Sequence, residues 1–312
     1  MGTPDFAVAS LRALVEAGEN IVGVVTAPDR PAGRGQQLKS SPVKRYSNEK
    51  NIPVLQPVRL KDPSFVEELR SLKADLFIVV AFRMLPELVW KMPLLGTFNL
   101  HASLLPQYRG AAPINWALIN GESETGLTTF LIDEKIDTGK IILQEKVPVN
   151  ESMTAGELHD ILMVKGAELV IKTVDCLLDP DFQFIPQSSI VKAGTELKPA
   201  PKLFKEDCRI KWEHCSSRVY NFIRGLSPFP GAWTIFLNED KEELSAKILF
   251  CEKVETMKSE TPGFISQDVN NKLIVYTDDG GIQILKLQAA GKKPMSAGEF
   301  LRGYRKRLIR AI

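Results

Sequence analysis

Short apolar runs alternate with amphipathic segments through the first half of the chain. Residues 21–25, 54–55 and 76–81 are apolar with little alternation, which predicts short strands buried on both faces. Amphipathic spacing predicts helices over residues 6–17, 43–49 and 63–72. Strands that alternate with helices predict a mostly parallel α/β sheet covered on both sides.

The second half of the chain has a different pattern. After a predicted strand at residues 141–149 and a long helix at 154–178, the Pro- and Ser-rich composition of residues 179–202 predicts a linker. Beyond it lies a predicted helix at residues 216–223. Short strands are predicted at residues 209–212, 232–237, 246–250, 263–265, 273–276 and 282–287, with hairpin turns at 270–271 and 278–281. This predicts a small antiparallel barrel or sandwich, and we place the domains at 1–180 and 203–312, with a linker at 181–202.

The start of the chain looks like a strand-to-helix turn whose strand is missing. Gly2, Pro4 and Asp5 stand just before the first predicted helix, where a parallel sheet needs an apolar strand upstream. We therefore expect the true start to lie upstream of Met1; the alternative is a sheet that lacks a strand at its centre.

Composition fits a globular protein of two domains, with 312 residues, 44% of them hydrophobic and 25% charged. The chain has neither a leader-like apolar segment at Met1 nor any run of about 18 apolar residues. We therefore expect a cytoplasmic protein without a membrane partner.

The formal net charge of +2 conceals an asymmetry between the two halves. Residues 200–312 hold 19 Lys and Arg against 14 Asp and Glu, a balance of +5, which leaves 21 against 24, or −3, for residues 1–199. A basic C-terminal region indicates an anionic partner. A solvated basic helix end is the alternative interpretation.

Candidate chemistry is concentrated between residues 99 and 139. Asn99 and His101 stand two apart in a predicted strand at 97–101, so both side chains leave the same face. If the predicted strand at 126–132 lies alongside, the following turn can bring Asp137 to the same place. Asp133 competes for this role but resembles a charge at a hairpin rim. The sequence thus predicts a base, its orienting carboxylate and an oxyanion donor.

These residue types have definite expected roles. A buried Asp137 should raise the pKa of His101 above about 6.5 and stabilise the protonated ring. The Asn99 amide suits an oxyanion at a tetrahedral centre. A covalent mechanism through Ser103 is not favoured, because no Gly-x-Ser-x-Gly elbow surrounds it. We expect no metal, since Cys208, His214 and Cys215 lack a second ligand pair.

A long loop rich in Pro, Gly and basic residues is predicted at residues 26–44. Arg30, Arg34, Lys39 and Lys44 stand there against Asp29. A loop of this length is typical of a functional or a disordered segment. We interpret it as a flap that orders on phosphates, with a flexible loop as the alternative.

Taken together, these motifs resemble the folate-dependent formyltransferases. The resemblance rests on Asn99-Leu-His101-Ala-Ser103-Leu-Leu-Pro106-Gln-Tyr-Arg109-Gly110, with Asp137-Thr-Gly139 after it. Segments 2–6, 27–35, 110–116, 121–122 and 291–295 are similar to the branch of that family that formylates methionyl-tRNA. The resemblance implies a Rossmann-like formyltransferase domain followed by a barrel of the oligonucleotide-binding type. The apolar strand that family members carry before Gly2-Thr-Pro-Asp-Phe6 again points upstream of Met1.

The family resemblance also assigns roles to individual residues. Catalysis falls to Asn99, His101 and Asp137, and the folate to Ser103, Leu104, Leu105 and Pro106. For tRNA binding we select Arg30, Arg34, Lys39, Lys292 and Lys293 from the basic loop and the basic C-terminal region.

The implied reaction moves a formyl group from 10-formyltetrahydrofolate to the α-amine of methionine on initiator methionyl-tRNA, in support of translation initiation. We expect a bacterial-type monomer that uses no metal. A glycinamide ribonucleotide formyltransferase and a nucleotide-sugar formyltransferase are alternatives with the same chemistry. A non-catalytic RNA-binding protein with a degenerate enzyme domain is the alternative from another class.

Overall fold

The computed structural model describes residues 1–32, 37–191, 194–255, 260–267 and 272–312, and it divides into two compact units. The N-terminal unit consists of Met1–Gly110, Thr125–Pro148 and Asp160–Pro199. The C-terminal unit consists of Ala111–Glu124, Val149–His159 and Ala200–Ile312. The chain therefore passes between the units several times, whereas the predicted boundaries divide it once along its length.

The first half of the chain alternates helices and strands as predicted. In chain order its elements are α1 (Asp5–Glu16), β1 (Val24–Val25), β2 (Arg30–Ala32), β3 (Gln37–Lys39), α2 (Pro42–Glu49), β4 (Val54–Leu55), α3 (Pro63–Ser71), β5 (Phe77–Val80), α4 (Glu87–Trp90), β6 (Thr97–His101), α5 (Pro113–Ile119), β7 (Glu124–Leu131), β8 (Ile141–Pro148), α6 (Ala155–Leu178) and α7 (Gln187–Ile190). Helices α2 and α3 begin alike: Ser41 and Asp62 cap them by accepting backbone N–H groups, and a proline follows each cap.

The sheets of the N-terminal unit confirm the Rossmann-like prediction, although β7 pairs antiparallel with β6 and β2 pairs antiparallel with β3. Strands β1 and β4 pair in parallel, and β5 and β6 also pair in parallel within the order β5-β6-β7-β8. Met1 and Gly2 lie between these two groups, because the Gly2 N–H donates to Val25 O and the Val80 N–H to Met1 O. The prediction of a mostly parallel sheet thus holds for β1, β4, β5 and β6.

Strand β7 runs antiparallel to β6, with His101 opposite Thr128 and Phe98 opposite Leu131. This register means that the chain leaves the sheet at the carboxyl end of β6 and re-enters at that same end. The turn after β7 therefore starts at the opposite end of the sheet, and the chain must return to bring polar groups back to His101.

The predicted flap between residues 26 and 44 contains strands. Strands β2 and β3 form an antiparallel ribbon in which Arg30 pairs with Lys39. The Lys44 ammonium donates to the Asp29 carboxylate at 2.6 Å, next to the ribbon. The expectation of a loop without its own structure was wrong for these residues. Pro31 is tolerated in the middle of β2, because each strand of a two-stranded ribbon has one edge without ladder hydrogen bonds.

The C-terminal unit is built on one antiparallel sheet. After a 3-10 turn at Glu206–Cys208, its elements are α8 (Ser216–Leu226), β9 (Ala232–Asn238), β10 (Glu243–Val254), β11 (Ile265–Gln267), β12 (Leu273–Tyr276), β13 (Gly281–Ala289), β14 (Met295–Ser296), α9 (Ala297–Gly303) and β15 (Leu308–Ala311). The order is β11-β12-β13-β10-β9-β15, with β14 on β13.

The sheet nearly closes into the predicted barrel. The Ala311 N–H donates to Gly263 O at 2.7 Å, and Phe264 bridges Arg310, which brings the end of β15 to the start of β11. Gly263 is needed there: its φ is +86°, and a Cβ would collide with Ala311 O.

Some predicted details of the C-terminal unit differ from the structure. Residues 209–212 contribute a single bridge between Arg209 and Trp233 rather than a strand. Elements β14, α9 and β15 were not predicted, and the predicted turn at residues 270–271 lies outside the described residues.

In the described part of the chain, no helix combines the length and the apolar character required to cross a bilayer.

Candidate active site

Strand β6 presents Asn99 and His101 at the carboxyl end of the parallel strands. Its bounds, Thr97–His101, are those predicted from the sequence. Asn99 lies opposite Val79 of β5 and His101 opposite Thr128 of β7. Because side chains alternate along a strand, both polar groups leave the same face of the sheet.

His101 is buried, with 6% of its surface exposed, and its ring is fixed by the main chain. Nε2 lies 2.8 Å from Tyr108 O, and a carbonyl only accepts, so Nε2 carries the hydrogen. The ring meets Phe130 edge-on, with 6.5 Å between the ring centroids. Nδ1 is therefore the nitrogen left to gain or lose a proton.

Asp137 faces that nitrogen. Its Oδ2 lies 3.9 Å from His101 Nδ1 and accepts the Gly110 N–H at 2.9 Å. Asp137 itself has φ of +55°, and Gly139 allows the turn because a Cβ there would collide with Leu131 O. The structure thus brings Asp137 to the histidine.

Asp133, the competing carboxylate, is exposed and accepts hydrogen bonds within the turn that carries Asp137. Its Oδ1 accepts the Thr138 hydroxyl at 2.7 Å and the Lys135 N–H at 3.1 Å. It therefore stabilises the turn rather than facing His101.

The predicted rise in the pKa of His101 was wrong in direction. Burial lowers the pKa of His101 below its ordinary value of 6.5, and the Asp137 charge and the Tyr108 carbonyl only partly oppose this. A separation of 3.9 Å is longer than a hydrogen bond, so the carboxylate acts at a distance. The ring is consequently neutral at neutral pH, with a lone pair on Nδ1.

Asn99 is half-buried, and its amide has no hydrogen-bond partner among the residues that the structure describes. A free amide donor and an unprotonated imidazole nitrogen on one face suit an amine that attacks a carbonyl carbon. The carbonyl oxygen needs a donor, and the amine needs an acceptor for its proton.

Hydrogen bonds from neighbouring strands hold the segment predicted to bind folate, Ser103–Pro106. Ser103 is fully buried and donates to Gln107 O at 2.6 Å. Thr128 Oγ1 donates to Ser103 O and accepts the Leu105 N–H, while Gln144 Nε2 donates to Leu105 O. Leu105 and Pro106 are buried, whereas Leu104 is half-exposed.

A buried glutamine that sequence reasoning missed completes the site. Gln187, 5% exposed, donates from Nε2 to Asp137 O and to Gly139 O, both at 2.9 Å. Its Oε1 accepts Arg109 Nη2 at 2.6 Å and Nε at 3.2 Å. Gln187 lies in the predicted linker, where a glutamine among Pro and Ser gives no sign that it is buried.

The residues predicted to bind tRNA lie on separate surface elements. Arg30 and Lys39 are exposed on the β2–β3 ribbon of the N-terminal unit. Lys292 and Lys293 are exposed in the turn that follows β13 of the C-terminal unit. Arg34 lies outside the described residues.

No metal centre is found in the described ranges, since no three His, Cys, Asp or Glu side chains there converge on one point. The polar groups at the site include the Asn99 amide, the His101 Nδ1 nitrogen and the Asp137 carboxylate.

Comparisons with solved structures identify the same fold. An N-formyltransferase from Helicobacter canadensis, in complex with folinic acid and dTDP-3-aminofucose, superposes with a TM-score of 0.62 at 20% identity, covering 91% of this chain and 96% of its own. HypX from Aquifex aeolicus, in complex with tetrahydrofolic acid, gives a TM-score of 0.60 at 20% identity, covering 89% of this chain and 46% of its own.

Comparisons of sequence are more specific. A methionyl-tRNA formyltransferase of Bacteroides fragilis is 54% identical over 97% of this chain and 94% of its own. One of Parabacteroides distasonis is 55% identical over 98% and 94%. The family model described as "Formyl transferase" matches residues 1–174, and "Formyl transferase, C-terminal domain" matches residues 202–305. The resemblance found in the sequence is therefore confirmed, and the chain belongs to the formyl transferase family.

Proposed function

We propose that the protein transfers a formyl group from 10-formyltetrahydrofolate to the α-amine of methionine on initiator methionyl-tRNA. The observation that carries this proposal is the buried His101, whose free Nδ1 faces Asp137 beside the unpartnered Asn99 amide. The choice of substrate is supported by relatives named methionyl-tRNA formyltransferase at 54 and 55% identity.

The chain's own residues suit direct transfer. The donor, when bound, supplies an activated formyl carbon. The Asn99 amide donates to the formyl oxygen as negative charge develops, which in other enzymes contributes about 10²–10³ in rate. His101 Nδ1 accepts the proton of the attacking amine, and the Asp137 carboxylate stabilises the imidazolium that forms. The same nitrogen can return the proton to the departing donor nitrogen.

A covalent enzyme intermediate has no support at the candidate serine. The Ser103 hydroxyl donates to Gln107 O and is fully buried. We propose instead that the Ser103–Pro106 segment, held rigid by Thr128 and Gln144, forms a wall of the folate site, with half-exposed Leu104 as its accessible side chain.

Exposed cations favour a large anionic substrate. Residues 200–312 carry a balance of +5, and Lys292 and Lys293 are exposed there. We propose that these lysines, together with Arg30, Lys39 and Arg34, contact phosphates of the tRNA. The relatives are bacterial, and we propose a monomer that works in the bacterial cytoplasm, which sedimentation of the purified protein can check.

The direct test measures labelled formyl transfer from 10-formyltetrahydrofolate to four acceptors in parallel. These are initiator methionyl-tRNA, free methionine, glycinamide ribonucleotide and a dTDP-linked amino sugar. We expect label in the charged tRNA alone. Label only in the sugar or the ribonucleotide would replace the proposed substrate, and folate binding without any transfer would point to a non-catalytic protein.

The assignment of the histidine is tested with His101→Asn. We expect this variant to fold and to lose formyl transfer, because no nearby group replaces Nδ1. Formyl transfer within tenfold of the parent would refute the catalytic role of His101.

A further inference from the structure

The Gln187 side chain is hydrogen-bonded to the loop that contacts His101 and to the turn that carries Asp137, the two residues of the proposed catalytic pair. Its amide nitrogen donates to Asp137 O and Gly139 O, the two ends of the turn that presents the carboxylate. Its amide oxygen accepts a two-pronged contact from Arg109. Both donor hydrogens and the acceptor of the side chain are therefore used.

Arg109 stands between the residues that contact the pair directly. Tyr108, before it, provides the carbonyl that fixes His101 Nε2. Gly110, after it, provides the N–H that binds Asp137 Oδ2. The side chain of Arg109 and its two neighbours thus reach Gln187, the histidine and the carboxylate from one short loop.

These hydrogen bonds form a closed network that constrains the distance between His101 and Asp137. One path runs from His101 through the 108–110 loop to Asp137, and the other runs from that loop through Gln187 to the Asp137 turn. Asp137 needs this support, because it has φ of +55° and lies 3.9 Å from His101, with no direct hydrogen bond between them.

We propose that Gln187 is a positioning residue, which acts through the Asp137 turn and Arg109 to set the carboxylate against His101. The inference rests on the proposed function only for the catalytic role of Asp137. The hydrogen bonds of the Gln187 side chain go to Arg109 and to the Asp137 turn, and among the described residues none goes to His101 or Asn99.

Two substitutions test separately the amide nitrogen and the amide oxygen of the Gln187 side chain. Gln187→Met keeps the length and removes every hydrogen bond, whereas Gln187→Glu keeps an oxygen for Arg109 but places a second oxygen against the two carbonyls. We expect kcat to fall by about 10- to 100-fold in both, since small misplacements of reacting groups cost this much. KM for the donor and the acceptor should stay within threefold. Gln183→Met changes an exposed glutamine four residues upstream and should behave as the parent.

The second readout needs no catalysis. Because the Asp137 charge raises the pKa of His101, a displaced carboxylate should lower it further. NMR titration of the three histidines should therefore show His101 alone moving to a lower pKa in Gln187→Met, with thermal unfolding still cooperative. This comparison remains decisive if the parent fails to formylate methionyl-tRNA.

Three results would overturn the proposal. The first is parental kcat and parental His101 titration in both variants, which would make Gln187 a packing residue. The second is a fall in kcat with His101 titrating as in the parent, because Asp137 would not have moved. The third is parental behaviour of Gln187→Glu beside an impaired Gln187→Met, which would assign the effect to Arg109 without the Asp137 turn.

Discussion

The chemistry of the site follows from how one imidazole ring is held. His101 Nε2–H donates a hydrogen bond to the Tyr108 carbonyl, so the neutral ring carries its lone pair on Nδ1. Burial favours this neutral form and lowers the pKa, while Asp137 stabilises the ring once it is protonated. A base that is free at neutral pH and stabilised after it accepts a proton suits general base catalysis better than a permanently charged donor.

This arrangement fixes the sign of the pH dependence. Activity should rise as pH rises through the pKa of His101, which lies below 6.5, because the ring must be neutral to accept a proton. Asp137→Asn keeps an oxygen for the Gly110 N–H but removes the charge, so kcat should fall by about 10² or more and the acid limb of kcat/KM should move to lower pH. A second limb from the substrate amine, near about 7.7–8.0, should not move. An acid limb that moves to higher pH in Asp137→Asn would contradict this account.

Gly139 is the second residue on which the geometry depends. Gly139→Ala places a Cβ against Leu131 O, so either the Asp137 turn or the end of β7 must shift. We expect a loss of about 1–3 kcal/mol in the free energy of unfolding, measured by urea denaturation, together with reduced kcat. Gly303→Ala is the matched control, since a Cβ there meets nothing within 4 Å. Equal stability of the two variants would show that the turn tolerates a side chain.

At the scale of elements, the β2–β3 ribbon is a paired strand unit that presents cations. Arg30 and Lys39 pair across it, and both are exposed. Arg30→Ala and Lys39→Ala should each weaken methionyl-tRNA binding and reduce the slope of log affinity against log salt by about 1, because each cation replaces released counterions at a phosphate. Folate binding should not change. Lys61→Ala, an exposed lysine outside the ribbon, is the control; an effect equal to that of the ribbon variants would remove the ribbon from the tRNA site.

Elements with a local signal were predictable from the sequence. Strand β6 has matching bounds because its apolar residues and the turn after it are local, and the two-residue spacing of Asn99 and His101 fixes their common face. Helix α9 was missed although Ser296 and Glu299 form a capping box, since only seven residues follow that cap.

Other parts of the site depend on contacts between distant residues. Gln187 is separated by 50 residues in sequence from the Asp137 carbonyl that it binds, and no periodicity reports such a contact. The direction of the pKa shift of His101 depends on the depth of burial relative to a carboxylate 3.9 Å away, which a spacing pattern does not contain.

At the scale of the whole molecule, the two units share the chain in an interleaved way. Helix α5, early in the sequence, belongs to the C-terminal unit, where Asn115 Nδ2 donates to Gly225 O of α8. The segment Val149–His159 belongs there too, because the buried Arg224 donates to Asn150 O and Met153 O. A cut at the predicted boundary therefore removes α8 from partners that remain in the other fragment.

We accordingly expect the fragment of residues 1–202 to be less stable than the intact chain. Its α5 would expose Ile119, which packs against the apolar core of residues 208–311 in the whole protein. A loss of several kcal/mol corresponds to a fall of about 10 °C in Tm for a chain of this size, measured by circular dichroism. Co-expression with residues 203–312 should restore the Tm.

The packing of α5 against α8 can also be weakened without cutting the chain. In the intact protein, Gly225→Ala places a Cβ against Ile119 and the Asn115 carbonyl, so Tm should fall in the same direction, whereas Gly303→Ala should leave it unchanged. If residues 1–202 instead melt cooperatively at the Tm of the intact protein, the contacts of α5 with α8 contribute no net stability. In that case the boundary at residues 180–203 would be the energetically meaningful one, and the interleaving would be a matter of geometry alone.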